Sequence, residues 1–207
     1  MLISKIKRQS KNSKRVSIFI DDEFKCGLYE DTVVKYNLST GDEISEETLD
    51  AIINFDEYLY AKKASFDLLS YRLRSEKEIK DKLKLKKISL RTIEKTIKHL
   101  KELSLLNDEE FAKQLVLENI SSKPKGKNLI RQKLFQKGIS KRISEQVLED
   151  VFKSIDEKKI ISELFEKYSK KVGSADIYEK KRKIFSYLAR KGFDFEIINE
   201  VIQEKLT

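Results

Sequence analysis

The side chains that most often carry catalysis or hold metals are scarce in this sequence. It has one histidine, His99, and one cysteine, Cys26. A zinc site needs three or four nitrogen or sulfur ligands, and a Cys–His or Ser–His–Asp arrangement needs a histidine beside its nucleophile. His99 stands among charged residues of helical pattern and reads as a surface side chain. Cys26 lies in a strand-like run and reads as a small core residue. Gly126-Lys127 has no glycine framework before it, so it is not a phosphate loop. Carboxylate pairs occur throughout and none stands out as an acid–base couple. These residues predict a binding protein rather than an enzyme, with no cofactor and no metal.

What the chain has in abundance is charge. Lys and Arg number 44 against 35 Asp and Glu, a net charge of +9, which favours a polyanion or a partner coated on one. The charges are segregated. From Ser121 to Ile143 there are eight basic residues (Lys123, Lys125, Lys127, Arg131, Lys133, Lys137, Lys141, Arg142) and no acid. From Asp21 to Glu57 twelve acids face only Lys25 and Lys35. A uniform lysine bias does not produce that polarity. One reading is a basic flank for phosphates with an acidic end that meets a basic protein or stays off nucleic acid; the other is solvated helix faces. Phe66, Phe111, Phe135, Phe165, Phe185 and Tyr187 fall mostly on apolar stripes and are expected in the core, so a base-stacking platform is not predicted.

At 207 residues with 39% hydrophobic content, the chain can build one ordinary domain or several small ones. A single cysteine fits a reducing compartment. No apolar run approaches the ~20 residues that span a bilayer, and Met1 to Lys5 lacks the pattern of a secretory signal. A cytoplasmic location with no membrane association is expected.

The elements that must carry these charges begin with strands. Val16–Ile20 and Phe24–Leu28, joined by Asp21-Asp22-Glu23, read as a hairpin. Leu2–Arg8 alternates and supplies a third strand, leaving Arg8–Arg15 as an exposed turn. Asp31–Tyr36 reads as one helical turn. Ser45 caps a helix from Glu46, in which Phe55 suggests a break or a change of face.

Beyond Ala61 the sequence repeats. Ile79 with Leu83, Ile130 with Leu134 and Ile184 with Leu188 each place two apolar residues on one helix face, and the three isoleucines stand 51 and 54 residues apart. Basic residues, a turn and an N-cap follow each pair. The turn residue is Gly138 or Gly192 in two cases and Lys87 in the first, which should weaken that turn slightly. The caps are Ser89, Ser140 and Asp194. A capping box, Ser75 with Glu78, opens the first of these helices. Asn107 and Asp156 open the upstream helices of the second and third units, and breaks fall at Ser121–Asn128 and Val172–Ile177. The expected fold is mainly α: a tandem array of three three-helix, helix-turn-helix-like repeats, elongated and curved because each repeat must bury its face on the next, with a small N-terminal β-hairpin or meander. The expected divisions are 1–60 for the strand-rich extension and linking helix, then 61–106, 107–155 and 156–207.

These features together resemble the RecX family of recombinase modulators, over almost the whole chain. The stretch Ala64–Ile79, with Arg72-Leu73-Arg74-Ser75 and Glu78, is similar to the family's R-x-R-S-x-x-E region. Leu106–Ala112 is similar to a second family marker, and Lys125-Gly126 before Ile130, Leu134 and Lys137-Gly138-Ile139 to a third. Gly41-Asp42-Glu43-Ile44 resembles part of the N-terminal extension of longer members. The resemblance implies a regulator that lies in the helical groove of the RecA filament on single-stranded DNA and restrains strand exchange and ATP turnover. Its context would be DNA repair, recombination and the SOS response. No catalytic residue carries over.

On that reading Arg72, Arg74, Lys125, Lys127, Arg131, Arg190 and Lys191 are the candidate filament contacts; Arg72 and Arg74 could equally support the Ser75 cap. A monomer is expected, with room for weak direct DNA binding. The rival is a direct DNA-binding protein with the third helix of a repeat in the major groove. Against it, those helices carry Glu145, Glu149, Glu196 and Glu200. A structural adaptor without nucleic acid is a third reading.

Overall fold

The computed structural model describes residues 1–10, 12–173 and 176–206, and for Asn12 and Ser13 the backbone alone. Strands β1 (Ile3–Gln9), β2 (Asn12–Ile20) and β3 (Glu23–Tyr29) form an antiparallel meander in the order β1-β2-β3. The β2–β3 connection is shorter than the sequence suggests. Only Asp21 and Asp22 turn, both with positive φ (50° and 66°), the geometry whose twist suits a two-residue hairpin and which Asp tolerates better than most residues. The basic segment Arg8–Arg15 is mostly strand rather than turn, because Lys7 pairs with Ser17 and Arg8 with Val16 across the ladder; Lys11 lies outside the described residues.

One sheet face buries Ile3, Val16, Ile18, Ile20 and Leu28 against Leu49 and Ile52 of α2, a helix that runs unbroken over Glu46–Tyr71 with Ser45 as its cap. Phe55 does not interrupt it. Its ring packs edge-on against Tyr36 (5.6 Å), at the end of the short helix α1 (Glu30–Lys35), so the change of face has a local cause. Asp56 is 5% exposed and accepts hydrogen bonds from the Tyr29 N–H and the Thr32 hydroxyl, both 2.6 Å. This acid secures the start of α1. Cys26 is half-buried at the edge of the same core, and burial pushes its thiol up.

The remaining helices are α3 (Glu76–Leu85), α4 (Leu90–Glu102), α5 (Asp108–Ser121), α6 (Lys127–Gln136), α7 (Lys141–Phe152), α8 (Glu157–Ser169), α9 (Ile177–Arg190) and α10 (Phe195–Lys205). The C-terminal half of α2 is the first helix of the first repeat; α5–α7 and α8–α10 are the second and third. Ser174 and Ala175, within the expected break after Val172, lie outside the described residues. Ile79, Leu83, Ile130, Leu134, Ile184 and Leu188 are all completely buried. Ser89, Ser140 and Asp194 each accept a backbone N–H as N-caps, as do Asn107 and Asp156. Of the aromatics expected inside, Phe111 and Phe165 are buried, whereas Phe66 and Phe135 are exposed, Phe135 by 79%. Phe135 follows Leu134 by one residue, about 100° around the helix, and so leaves the buried face. His99 is half-buried beside Tyr58 (6.2 Å, edge-on) rather than fully on the surface.

The chain forms two compact units. The first holds Met1–Arg72 with Ile79–Leu105, hence the sheet, α1, α2, most of α3 and α4. The second holds Leu73–Glu78 and the chain from Leu106 onward.

Candidate partner and polyanion interface

The second-to-third-helix turn of each repeat has one backbone geometry. Lys87, Gly138 and Gly192 have φ of 61°, 79° and 84°. The next residue, Ile88, Ile139 or Phe193, donates back to Leu83, Leu134 or Leu188, satisfying carbonyls that a helix end leaves open.

Within the second unit these turns are also docking points. The Ser75 hydroxyl donates to the Lys137 carbonyl (2.7 Å), and the Lys77 side chain lies where a Cβ on Gly138 would stand. Further along, the Gly126 N–H donates to the Lys191 carbonyl (2.9 Å) and the Asn128 N–H to the Gly192 carbonyl (3.1 Å). A Cβ on Gly126 would stand 2.2 Å from the Gly192 oxygen, and one on Gly192 would stand 2.4 Å from Leu129. The start of one repeat's second helix thus meets the turn of the next repeat twice, once through a side-chain hydroxyl and once through backbone amides. The resemblance marker Lys125-Gly126 owes its glycine to this close approach.

That docking gathers part of the predicted set. It brings the loop after α5, which carries Lys123 and Lys125, beside Lys191. The Lys125 amine donates to Asn119 Oδ1 (2.6 Å), and the Lys133 amine donates to the same oxygen (2.7 Å). Lys191 lies over the Tyr187 ring at 5.3 Å; burial first, then Lys125 and Lys123, hold its pKa below the ordinary value. Arg190, the last residue of α9, is exposed.

The other candidates have partners within the protein. Lys127 sits over Phe152 (5.0 Å) and 3.4 Å from Glu157, a carboxylate only 8% exposed. Arg131 donates to both oxygens of Glu145 (2.6 and 3.0 Å). That pairing raises the arginine pKa and lowers the glutamate's. Charge reversal at Lys127 would therefore disturb packing as well as any contact, since it would place an acid beside a buried acid. Arg74 is half-buried in the Leu73–Glu78 segment, and Arg72 is exposed in extended backbone at the end of α2, in the first unit. Sequence alone marks neither Lys133 nor Asn119 as a site residue; the one signal is the acid-free run that contains Lys133.

Among the described residues no cluster of three or more His, Cys, Asp or Glu could hold a metal ion, and no helix is long and apolar enough to cross a membrane. Comparison with known families gives four matches in chain order: "Regulatory protein RecX N-terminal domain" over residues 1–45, and the first, second and third three-helix domains of RecX over residues 61–100, 107–148 and 156–202. Regulatory protein RecX of Clostridioides difficile (strain 630) is 33% identical over 207 residues, covering 99% of this chain and 96% of the relative. That of Staphylococcus aureus (strain Newman) is 32% identical, covering 98% and 74%. A crystal structure of regulatory protein RecX aligns with a TM-score of 0.67 at 28% identity, over 97% of this chain and 98% of that one. The crystal structure of RecX from Lactobacillus salivarius aligns with a TM-score of 0.66 at 32% identity, over 72% and 96%. With buried repeat positions, turns and caps agreeing with four ordered domain matches, the chain belongs to the RecX family of regulatory proteins.

Proposed function

We propose that this protein binds the RecA filament on single-stranded DNA, in its helical groove, and restrains RecA's recombinase and ATPase activities as part of the control of DNA repair and recombination. Family membership supports a regulatory role. The observation that carries the choice of a DNA-bearing partner is the convergence of Lys123, Lys125, Lys133 and Lys191 on one surface, which suits a negatively charged filament. The contacts we assign first are Lys125, Arg190 and Lys191; Arg72, Arg74, Lys127 and Arg131 follow, since each can serve the fold as well. A tandem array of repeats suits a partner that is itself repetitive, and binding steered by charge weakens steeply with salt.

The groove-reading alternative is disfavoured by the third helices themselves. Glu149 on α7 and Glu200 on α10 are well exposed, at 73% and 59% of the side chain, and would meet phosphates.

The test follows ATP hydrolysis by RecA on single-stranded DNA as this protein is added. The expected result is a dose-dependent fall in rate, relieved as salt rises. Unchanged hydrolysis at stoichiometric ratios, together with sequence-specific binding to duplex DNA without RecA, would transfer the assignment to the alternative. Arg190→Glu is the cleaner contact probe, being exposed. It should weaken the inhibition several-fold without altering the far-ultraviolet circular dichroism.

A further inference from the structure

The basic residues of the second unit fall into two kinds. Lys127, Arg131 and Lys137 each meet a carboxylate: Glu157, Glu145 and Glu78. Lys123, Lys125, Lys133 and Lys191 do not; among the described residues none of these four has a carboxylate within ion-pair distance. They come from three places, namely the loop after α5, the body of α6 and the C-terminal cap of α9. The Gly126–Lys191 backbone bond holds the first and third together. Two of the four ammonium groups share a single neutral acceptor, the Asn119 side-chain oxygen, whose own amide group donates to the Leu115 carbonyl at 2.7 Å. Asn119 is thereby fixed, with its oxygen turned toward the lysines. An amide oxygen carries no net charge to offset two cations, so the arrangement holds repulsion that an anion would relieve.

We infer that Lys125 and Lys133, both held on the Asn119 oxygen, together with Lys123 of the same loop and Lys191 docked beside that loop, form a phosphate-binding site that takes a backbone phosphodiester of single-stranded DNA. Flexible ammonium donors converging from several directions suit a phosphate oxygen without reading its sequence. The Tyr187 ring beneath Lys191 limits the directions in which that amine can move. The inference deepens the proposed function by naming the component of the filament that this surface touches, but its test is made without RecA, so the two can fail separately.

Lys133 supplies a specific signature. The adjacent Lys125 amine is the largest influence on it, followed by burial, against a weaker opposing pull from Glu118, and together they bring it down to about 8. The charged groups facing it are Glu118 from α5 and Lys125 from the loop, with Lys123 and Lys191 beyond Lys125. A bound phosphate favours the protonated amine. Binding therefore takes up a proton when the pH lies above that value and weakens as the pH rises through it.

The experiment measures anisotropy of a fluorescein-labelled oligothymidylate titrated with the full chain at low salt. Between about pH 7 and about pH 9 the wild-type affinity should fall up to roughly tenfold. Lys133→Arg keeps the charge but does not titrate, so it should bind well at both values, with the loss cut to about twofold. Asn119→Asp places a carboxylate among the lysines and should lower affinity at neutral pH by about tenfold or more, while the protein stays folded by circular dichroism. Lys125→Gln should reduce affinity and flatten the salt dependence by about one phosphate contact. Wild-type affinity in both Asn119→Asp and Lys125→Gln would overturn the site. So would equal pH dependence in the wild type and Lys133→Arg. If inorganic phosphate alone raises the melting temperature through these residues while oligonucleotide binding is indifferent to them, the site serves free phosphate and the assignment to DNA is overturned.

Discussion

The turn in the first repeat and its counterparts in the second and third share a backbone conformation and differ in what holds them. At Gly138 and Gly192 the start of another repeat's second helix lies against the turn, through the Ser75 hydroxyl in one case and the Gly126 and Asn128 amides in the other. At Lys87 the following cap is held by a side chain of α2. The Glu57 carboxylate accepts the Ser89 N–H (3.0 Å) and the Ser89 hydroxyl (2.5 Å). A turn that receives a neighbouring segment is crowded at the Cβ position, by backbone at Gly192 and by the movable Lys77 side chain at Gly138; one held from the cap side has room, and there a left-handed residue need satisfy only its own backbone. Glycine in this family pattern therefore marks a docking point as well as a helix end.

Gly126→Ala should damage the docked turns most. The added methyl would meet the Gly192 carbonyl carbon and oxygen and the Phe193 Cα, which are backbone atoms that cannot swing aside. Displacing them should cost about 3 kcal/mol, at the upper end for overpacking. In a unit of this size that lowers the melting temperature by more than about 10 °C, measurable by thermal unfolding. Gly192→Ala should follow closely, because it combines a positive φ with a clash at the Leu129 backbone nitrogen.

Gly138→Ala tests the other docking point and should be milder. The contact there is with the Lys77 side chain, which can shift, leaving mainly the left-handed penalty of about 1–2 kcal/mol. If Gly138→Ala proves as damaging as Gly126→Ala, the Ser75–Lys137 contact is as unyielding as the backbone-to-backbone one.

The two kinds of turn should also differ in response to acid. Burial alone would raise the Glu57 pKa, but the hydrogen bonds from Ser89 and Thr92 outweigh it and hold the carboxyl below its ordinary value of 4.5. A depressed folded pKa means the contribution is complete above the unfolded value and is lost as the pH falls through the folded one. Below about pH 4.5 the amides of Ile88 and Ser89 should therefore lose exchange protection before those of Ile139 and Phe193. Glu57→Gln should abolish the pH step. Equal acid sensitivity at all three turns would show that Glu57 does not distinguish them.

Most of this framework was legible in the sequence, because it depends on local rules. Paired Ile and Leu four apart, turn glycines and N-caps each act within a few residues, and all fell where expected. Three features were not legible. The partner of Phe55 on the unbroken α2 is Tyr36, just past α1 and 19 residues earlier in the chain. The burial of Asp56 and the cap contact of Glu57, both within the acidic run from Asp21 to Glu57, depend on partners 24 or more residues away. Most relevant to function, the lysine cluster depends on Gly126 docking on Lys191, 65 residues later in the chain. A run of positive residues reveals an excess of charge; which of them lack a carboxylate is decided only when the repeats pack.

The left-handed backbone at Lys87 can be tested apart from docking, and there the shift in stability should be slight. Lys87 is exposed and left-handed at φ 61°, so Lys87→Gly removes the steric penalty of a Cβ there while touching no docked segment. The gain is reduced by the greater freedom of glycine in the unfolded chain. The net should be a stabilisation of about 0.5 kcal/mol, read as a small rise in the denaturant midpoint with an unchanged slope. The reciprocal change, Gly192→Lys, should destabilise by several times that amount, because it adds the Leu129 clash to the same conformational penalty. Were the two substitutions equal and opposite, conformation alone would explain the turn residues and docking would contribute nothing. A clear inequality assigns the difference to the packed segment, and so explains why the first repeat can place a lysine where the third repeat requires glycine.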